Sequence, residues 1–138
     1  MKQFEILDIS GDAGIRAFGK DLTELFVNAG TGMYSLITDL TDIQEKKTIA
    51  ISRQGCSWEG LLVSFLNELV FHFDTYGFIG KSLAVTALDM NNVTANISGE
   101  EFNPDRHKGK LLIKAATYHK LKMEKKGDRW EAEVIFDI

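Results

Sequence analysis

The sequence predicts a single α+β domain in which a largely antiparallel β-sheet packs against two main helices. The chain has 138 residues, 44% hydrophobic and 26% charged, which is typical of one globular domain. Two stretches carry apolar residues at helical spacing, and short alternating segments bounded by turn residues surround them. This order of elements favours α+β over a doubly wound βαβ fold. Without a repeat, a linker or a low-complexity tract, one domain is expected to span residues 1–138.

The first predicted element is a hairpin. Residues 3–7 (QFEIL) alternate as one strand, residues 15–18 form a short second strand, and the turn between them contains DISGD at 8–12. A turn needs the glycine and at most one of the two aspartates. The second acid, Asp8 or Asp12, therefore suggests a role beyond the turn.

A helix is predicted over about 22–37. Asp21 followed by Glu24 is a variant of the capping box that begins many helices. The apolar residues that define one helical face are Leu22, Leu25, Phe26, Ala29, Met33, Leu36 and Ile37. Gly30 and Gly32 lower the helix propensity within this segment, by roughly 1 kcal/mol each against alanine. They indicate either close packing or a fraying middle.

The middle of the chain predicts a strand, a second helix and a hairpin. Residues 48–53 form the strand, and a broad apolar stripe predicts a helix over 58–73 that ends in the glycines of YGFIGK. Residues 83–87 and 93–97 alternate on either side of the turn MNN, as a hairpin does. Pro104 then marks a polar loop.

The C-terminal stretch KAATYHKLKMEKKGDRWEAEVIFDI predicts a closing hairpin with its turn at KKGD. Its second arm alternates, with Trp130, Ala132, Val134 and Phe136 directed inward. Together these elements predict a core that includes Phe26, Leu36, Phe65, Leu69, Val85 and Val134.

Charge and cysteine content limit the function classes. The net charge is −4 with acids and bases interleaved, so direct nucleic-acid binding is not expected. The single cysteine, Cys56, cannot form an internal disulfide and fits a reducing compartment. The N-terminal MKQFEILD lacks the apolar core of a secretion signal, and no apolar run reaches the length of a membrane span. We therefore expect a cytoplasmic protein that does not associate with membranes.

Common catalytic motifs are absent from the sequence. There is no G-x-S-x-G elbow, phosphate-binding loop or H-E-x-x-H motif, and Cys56 in a turn is the kind of lone cysteine that is usually inert. His72 falls among apolar residues of the second helix, His107 in a polar loop and His119 in a strand. None of these histidines indicates an acid–base catalyst by itself.

The carboxylates carry the stronger signal. Asp8 and Asp12 flank the first turn, and Asp137 is followed only by Ile138, whose α-carboxylate is another anion. Asp137 is either a solvated chain end or, with Asp12 and the terminal carboxylate, a ligand of one cation. Oxygen ligands would select Ca²⁺, Mg²⁺ or Mn²⁺ over zinc. The spacing of apolar residues does not decide between a solvated chain end and a cation ligand.

Five segments together resemble the archease family. DISGDAGIRAFG is similar to that family's D-H-T-A-D-x-G-I-x-A-x-G, and DLTELFVNAGTGMYSLITD to L-E-E-L-F-E-N-A-A-x-x-M-F-x-L-M-T-D. LLVSFLNELVFHFDT, GEEFNPDRHKGKLLIKAATYHKL and WEAEVIFDI match further family motifs in the same order. Ile9 departs from the pattern where many members have histidine, and Ser64 departs where an aspartate is frequent. The charged residues that fit the pattern are Asp12, Glu68, Asp74, Lys114, His119 and Asp137.

This resemblance implies an accessory role in RNA ligation. Archeases activate the RtcB-type RNA-splicing ligase, which joins tRNA halves with GTP and a divalent metal. They promote guanylylation and multiple turnover of the ligase without being ligases themselves. A chaperone-like effect on RNA-modifying enzymes has also been ascribed to the family.

The resemblance also implies a metal site, formed by Asp12 and Asp137 with the α-carboxylate of Ile138. Ca²⁺ is the expected ion, with Mn²⁺ or Mg²⁺ as alternatives, and Asp8 either assists or only caps the turn. A second hypothesis is a small metal-dependent enzyme that acts on a phosphorylated metabolite. The missing phosphate loop and nucleophile–base pair favour the non-catalytic activator.

Overall fold

Two antiparallel sheets and two α-helices make up the computed structural model, which describes residues 2–138. A short 3-10 turn at Leu40–Asp42 follows the first helix. In chain order the elements are β1 (Phe4–Ile9), β2 (Asp12–Gly19), α1 (Leu22–Ile37), β3 (Lys47–Gln54), α2 (Trp58–Tyr76), β4 (Phe78–Leu88), β5 (Asn92–Glu101), β6 (Ala115–Ala116), β7 (Lys122–Lys126) and β8 (Arg129–Asp137). The predicted α+β class with two main helices is confirmed. The strands divide between two sheets.

The larger sheet has the order β1-β2-β8-β6, and β7 also pairs with β8. The smaller sheet has the order β3-β5-β4. Every pairing is antiparallel. Strand β8 thus brings the end of the chain back beside β2, near its beginning, while β3 to β5 form a separate layer.

The first hairpin is longer and tighter than the sequence predicted. Its strands extend to Ile9 and from Asp12, leaving only Ser10 and Gly11 in the turn. Gly11, the second residue of the turn, has a φ of 80°, a left-handed conformation that glycine adopts without strain. The two strands were predicted too short because aspartate is a poor strand former. In the structure, pairing between the strands overrides that local preference.

Both helices begin at their predicted residues. The side chain of Asp21 accepts a hydrogen bond from the Glu24 amide at 2.8 Å, and Glu24 in turn accepts one from the Lys20 amide at 3.1 Å. Helix α2 continues three residues beyond the predicted end and stops at Gly77, whose φ is 72°. Strand β4 follows at once, so the glycine-rich break predicted at YGFIGK is mostly strand.

The glycines inside α1 reflect close packing, because this helix lies against both sheets. A Cβ on Gly30 would collide with Leu83 of β4 in the smaller sheet. A Cβ on Gly32 would stand 3.1 Å from Phe4 and 3.2 Å from Ile15, in the larger sheet. Glycine lets the helix backbone approach both layers, which offsets its lower helix propensity.

Most of the predicted core is buried. Phe26, Phe65, Leu69 and Val134 have no exposed surface and Leu36 is 5% exposed, but Val85 is only half-buried. On β8 the inward residues Ala132, Val134 and Phe136 are buried, whereas Trp130 is half-buried. The predicted first arm of the closing hairpin is interrupted, because only Ala115–Ala116 and Lys122–Lys126 are strand. His119 therefore lies in a turn, not in a strand as predicted.

A buried carboxylate ties the loops to the smaller sheet. Glu100 on β5 is 4% exposed and accepts a hydrogen bond from the Gln44 amide. Arg106 pairs with it, and Lys46 lies 3.5 Å away. Nδ1 of the buried His107 accepts from the Asn103 amide at 2.8 Å, and its Nε2 lies 3.4 Å from Glu100. Burial alone would raise the pKa of Glu100, but the Gln44 amide and the surrounding positive charges outweigh it and hold the pKa below its usual value.

We expect Phe65→Ala to lower the free energy of unfolding by about 3–5 kcal/mol, because it opens a cavity beneath α2. Phe71→Ala, on the same helix but half-exposed, should cost under about 1 kcal/mol. Urea unfolding of both variants gives the comparison. A loss below about 1 kcal/mol for Phe65→Ala would contradict the core assignment.

Glu100→Gln should destabilise the domain at pH 7, because Arg106 loses its buried counter-ion. A carboxyl whose pKa is lowered by folding stabilises the fold above its unfolded pKa, and this stabilisation is lost as pH falls through the folded pKa. The difference between the two proteins should therefore shrink below about pH 4. Thermal melts from pH 3 to 7 measure it, and a constant difference would contradict the assignment.

Candidate functional site

The pairing of β2 with β8 brings the two predicted metal ligands side by side. Ala13 and Phe136 form the last pair of this register, so Asp12 and Asp137 each lie one residue beyond it, at the same end of the two strands. Directly opposed residues of an antiparallel pair have Cα atoms about 4.5–5.5 Å apart and side chains on the same face. Two carboxylates from opposite ends of the sequence therefore share one corner of the larger sheet.

The chain end at this corner is held along one side by residues 114–117. Ala115 of β6 pairs with Asp137, and the Lys114 amide donates to the carbonyl oxygen of Asp137 at 2.8 Å. Two residues further back along β8, the Thr117 hydroxyl donates to the Ile135 carbonyl at 2.8 Å. The α-carboxylate of Ile138 follows immediately after this anchored strand. These hydrogen bonds favour a positioned group over a freely solvated terminus.

The carboxylates at this corner fit a hard cation. Asp12, Asp137 and Ile138 are exposed, and among residues 2–138 no ion pair includes either aspartate. Close anions repel each other, and a cation between them removes that cost. No three His, Cys, Asp or Glu side chains converge on one point within the described chain. An ion here would therefore use the two aspartates, the terminal carboxylate and water.

The second acid of the hairpin, Asp8, borders the same groove as Asp12 but has a different place in the strand register. Asp8 pairs with Ala13, whose side chain faces the core, whereas Asp12 pairs with Ile9 on the other face of the hairpin. The pleat therefore directs Asp8 and Asp12 to opposite faces. Asp137, at the same end of the β2–β8 pair as Asp12, is 125 residues away from it in sequence.

A groove of about 540 Å³ lies beside Asp12 on the outer face of the larger sheet. Leu7, Ile9 and Ile135 contribute apolar surface, and His119 lines it from the turn before β7. The histidine frequent in the family at the position of Ile9 would face Asp12 directly. The sequence did not predict this groove, because it depends on strand register and on the position of the 117–121 segment.

The remaining residues singled out from the sequence lie elsewhere. Ser64 on α2 accepts a hydrogen bond from Arg53 Nε at 2.8 Å, at the position where an aspartate would form an ion pair. Glu68 and Asp74 are also on α2, outside the groove. Cys56 is exposed in the turn before this helix. Among residues 2–138, no helix is both long and apolar enough to cross a membrane.

Comparison with known proteins matches this architecture. A sequence profile of the Archease protein family (MTH1598/TM1083) matches residues 4–138. Protein archease from Pyrococcus furiosus is 33% identical over 142 residues and that from Sulfurisphaera tokodaii is 31% identical over 140, with 100% of each chain covered.

Two solved structures have the same fold. The solution structure of Methanobacterium thermoautotrophicum protein 1598 has a TM-score of 0.85 and 30% identity, with both chains fully covered. The crystal structure of an archease, possible chaperone, from Thermotoga maritima has a TM-score of 0.68 at 19% identity, over 96% of this chain and 94% of that one. At that identity the second likeness concerns the fold alone. Profile, relatives and fold together show that the chain belongs to the archease family.

Proposed function

We propose that this protein is a non-catalytic activator of an RtcB-type RNA-splicing ligase, and that it presents a divalent cation held by Asp12, Asp137 and the α-carboxylate of Ile138. In tRNA splicing it would promote guanylylation of the ligase and allow multiple turnover. The observation that supports the proposal is the β2–β8 register, whose last pair, Ala13 with Phe136, puts Asp12 and Asp137 one residue beyond it at the same end of the sheet. Membership of the archease family supports the same role.

The donor set suggests which ion would bind. Carboxylate oxygens and water are ligands for Ca²⁺, Mg²⁺ or Mn²⁺, while zinc prefers nitrogen and sulfur. Ca²⁺ tolerates irregular geometry and several waters, so it suits an exposed corner with two or three protein ligands, and Mn²⁺ or Mg²⁺ are alternatives. When bound, the cation would neutralise phosphate charge on the nucleotide used by the ligase. Asp12 and Asp137 would hold it at a corner that a partner can reach.

Several features support action through a protein partner. The net charge of −4 opposes capture of RNA by this chain alone. The Thermotoga protein with the same fold is described as a possible chaperone. A chaperone-like effect on RNA-modifying enzymes is therefore a variant of the proposal. The composition and single cysteine are consistent with the cytoplasm as the place of action.

The groove beside Asp12 favours a second candidate function, that of a small metal-dependent enzyme acting on a phosphorylated metabolite. Its volume of about 540 Å³ is sufficient for a small molecule, and His119 and Lys120 line it. Hydrolysis of p-nitrophenyl phosphate by the protein with Mn²⁺ distinguishes the two functions. Turnover that requires Asp12 and no ligase would favour the enzyme.

Metal binding should stabilise the fold, because a cation neutralises the carboxylates at this corner. At a Ca²⁺ concentration one hundred times the dissociation constant, the expected gain is about 2.7 kcal/mol. Asp12→Asn and Asp137→Asn should each abolish the shift in melting temperature. Asp128→Asn, at an exposed position in the β7–β8 turn, is the matched control and should retain it. A wild-type protein with no response to millimolar Ca²⁺, Mn²⁺ or Mg²⁺ would contradict the site.

The activator should raise the turnover number of the ligase when it is added in substoichiometric amounts. The ligase keeps its own affinity for RNA, since this acidic chain is not expected to bind RNA. Asp12→Asn should remove the stimulation, measured as ligated product per ligase over time. Tight, salt-sensitive RNA binding by the isolated protein would count against the proposal.

A further inference from the structure

An exposed aromatic surface lies on α2, away from the carboxylate corner. We call it the aromatic face and define it as Phe71, His72 and Tyr76. Phe71 is 50% exposed and Tyr76 58% exposed. The ring of Phe71 lies 5.4 Å from that of His72 and 6.2 Å from that of Tyr76, and His72 and Tyr76 are 5.8 Å apart. The three rings support one another, so they form one preorganised patch.

The acidic and basic side chains that α2 itself contributes around this patch are all acidic. Helix α2 contains no lysine or arginine, and its acids include Glu68 and Asp74. Glu68 lies three residues before Phe71 and Asp74 three residues after it, so both neighbour that ring on the helix surface. No ion pair within residues 2–138 uses either acid. Elsewhere on the domain, acids such as Glu5, Glu100 and Glu133 have basic partners.

Aromatic rings flanked by free carboxylates complement one kind of side chain. The guanidinium of arginine can stack on an aromatic ring and, while it is stacked, can also pair with a carboxylate at its edge. A second copy of this chain fits less well, since a two-fold contact would place Glu68 and Asp74 close to the acids of the other copy. Nucleic acid is disfavoured for the same reason, because its phosphates would meet these acids.

We propose that the aromatic face of α2 is the surface on which the partner ligase docks, through an arginine that inserts between the rings and the acids Glu68 and Asp74. This inference rests on the proposed function, because it takes the ligase as the partner. Half-exposed aromatic residues are the type that contributes most to binding at protein interfaces. The domain would then bind the ligase through α2 and present the cation through a different surface, at Asp12 and Asp137.

The test measures the affinity for the RtcB-type ligase of the same organism by isothermal titration calorimetry. Phe71→Ala and Tyr76→Ala should each weaken binding about tenfold or more. Glu68→Lys should weaken it further by repelling the arginine, and this effect should diminish at high salt. Met90→Ala is the matched control, since Met90 is 49% exposed on the β4–β5 turn, and it should bind like the wild type.

The outcomes separate this inference from the proposed function. Asp12→Asn should bind the ligase with wild-type affinity but fail to stimulate it. If the wild type binds and stimulates and the α2 variants bind equally well, the docking surface is wrong while the activator role stands. If the wild type neither binds nor stimulates, the activator role fails and the docking proposal fails with it. Sedimentation that shows a dimer lost in Tyr76→Ala would assign the face to a second copy and overturn the proposal.

Discussion

The antiparallel pairing of β2 with β8 is the constraint on which the candidate site depends. It joins residues more than one hundred positions apart in sequence, from Ala13 against Phe136 to Gly19 against Trp130. Such a contact closes nearly the whole chain into a loop, and its entropic cost must be offset by burial along both strands. The same pairing fixes which side chains face outward together. A shift of one residue would move Asp12 and Asp137 to opposite faces.

Local patterns in the sequence predicted much of this architecture, because they report interactions between near neighbours. Both helix starts follow from side-chain caps, at Asp21 and Ser57, that can be recognised within a few residues. The boundaries that differ involve tertiary contacts. Strand pairing extended the first hairpin through two aspartates, which are poor strand formers. The packing of α1 between two sheets explains why Gly30 lies within a helix, a question that helix propensity alone left open.

The candidate site was predictable only in part. The unusual pair of acids in DISGD and the aspartate at the chain end indicated a possible cation site, and the resemblance to archeases selected Asp12 and Asp137. The opposite orientations of Asp8 and Asp12 follow from the two-residue turn, whose position the sequence did not specify. The groove and the aromatic face of α2 depend on distances across the surface, and neither leaves a periodic signal in the sequence.

Anomalous diffraction from a crystal soaked in Mn²⁺ tests the central claim most directly, namely that β2–β8 pairing creates a cation site from the two ends of the chain. The account predicts a peak at the corner of the larger sheet, within about 2.5 Å of carboxylate oxygens from both Asp12 and Asp137. A peak on other residues, or none at saturating Mn²⁺ with the two side chains turned apart, would contradict it.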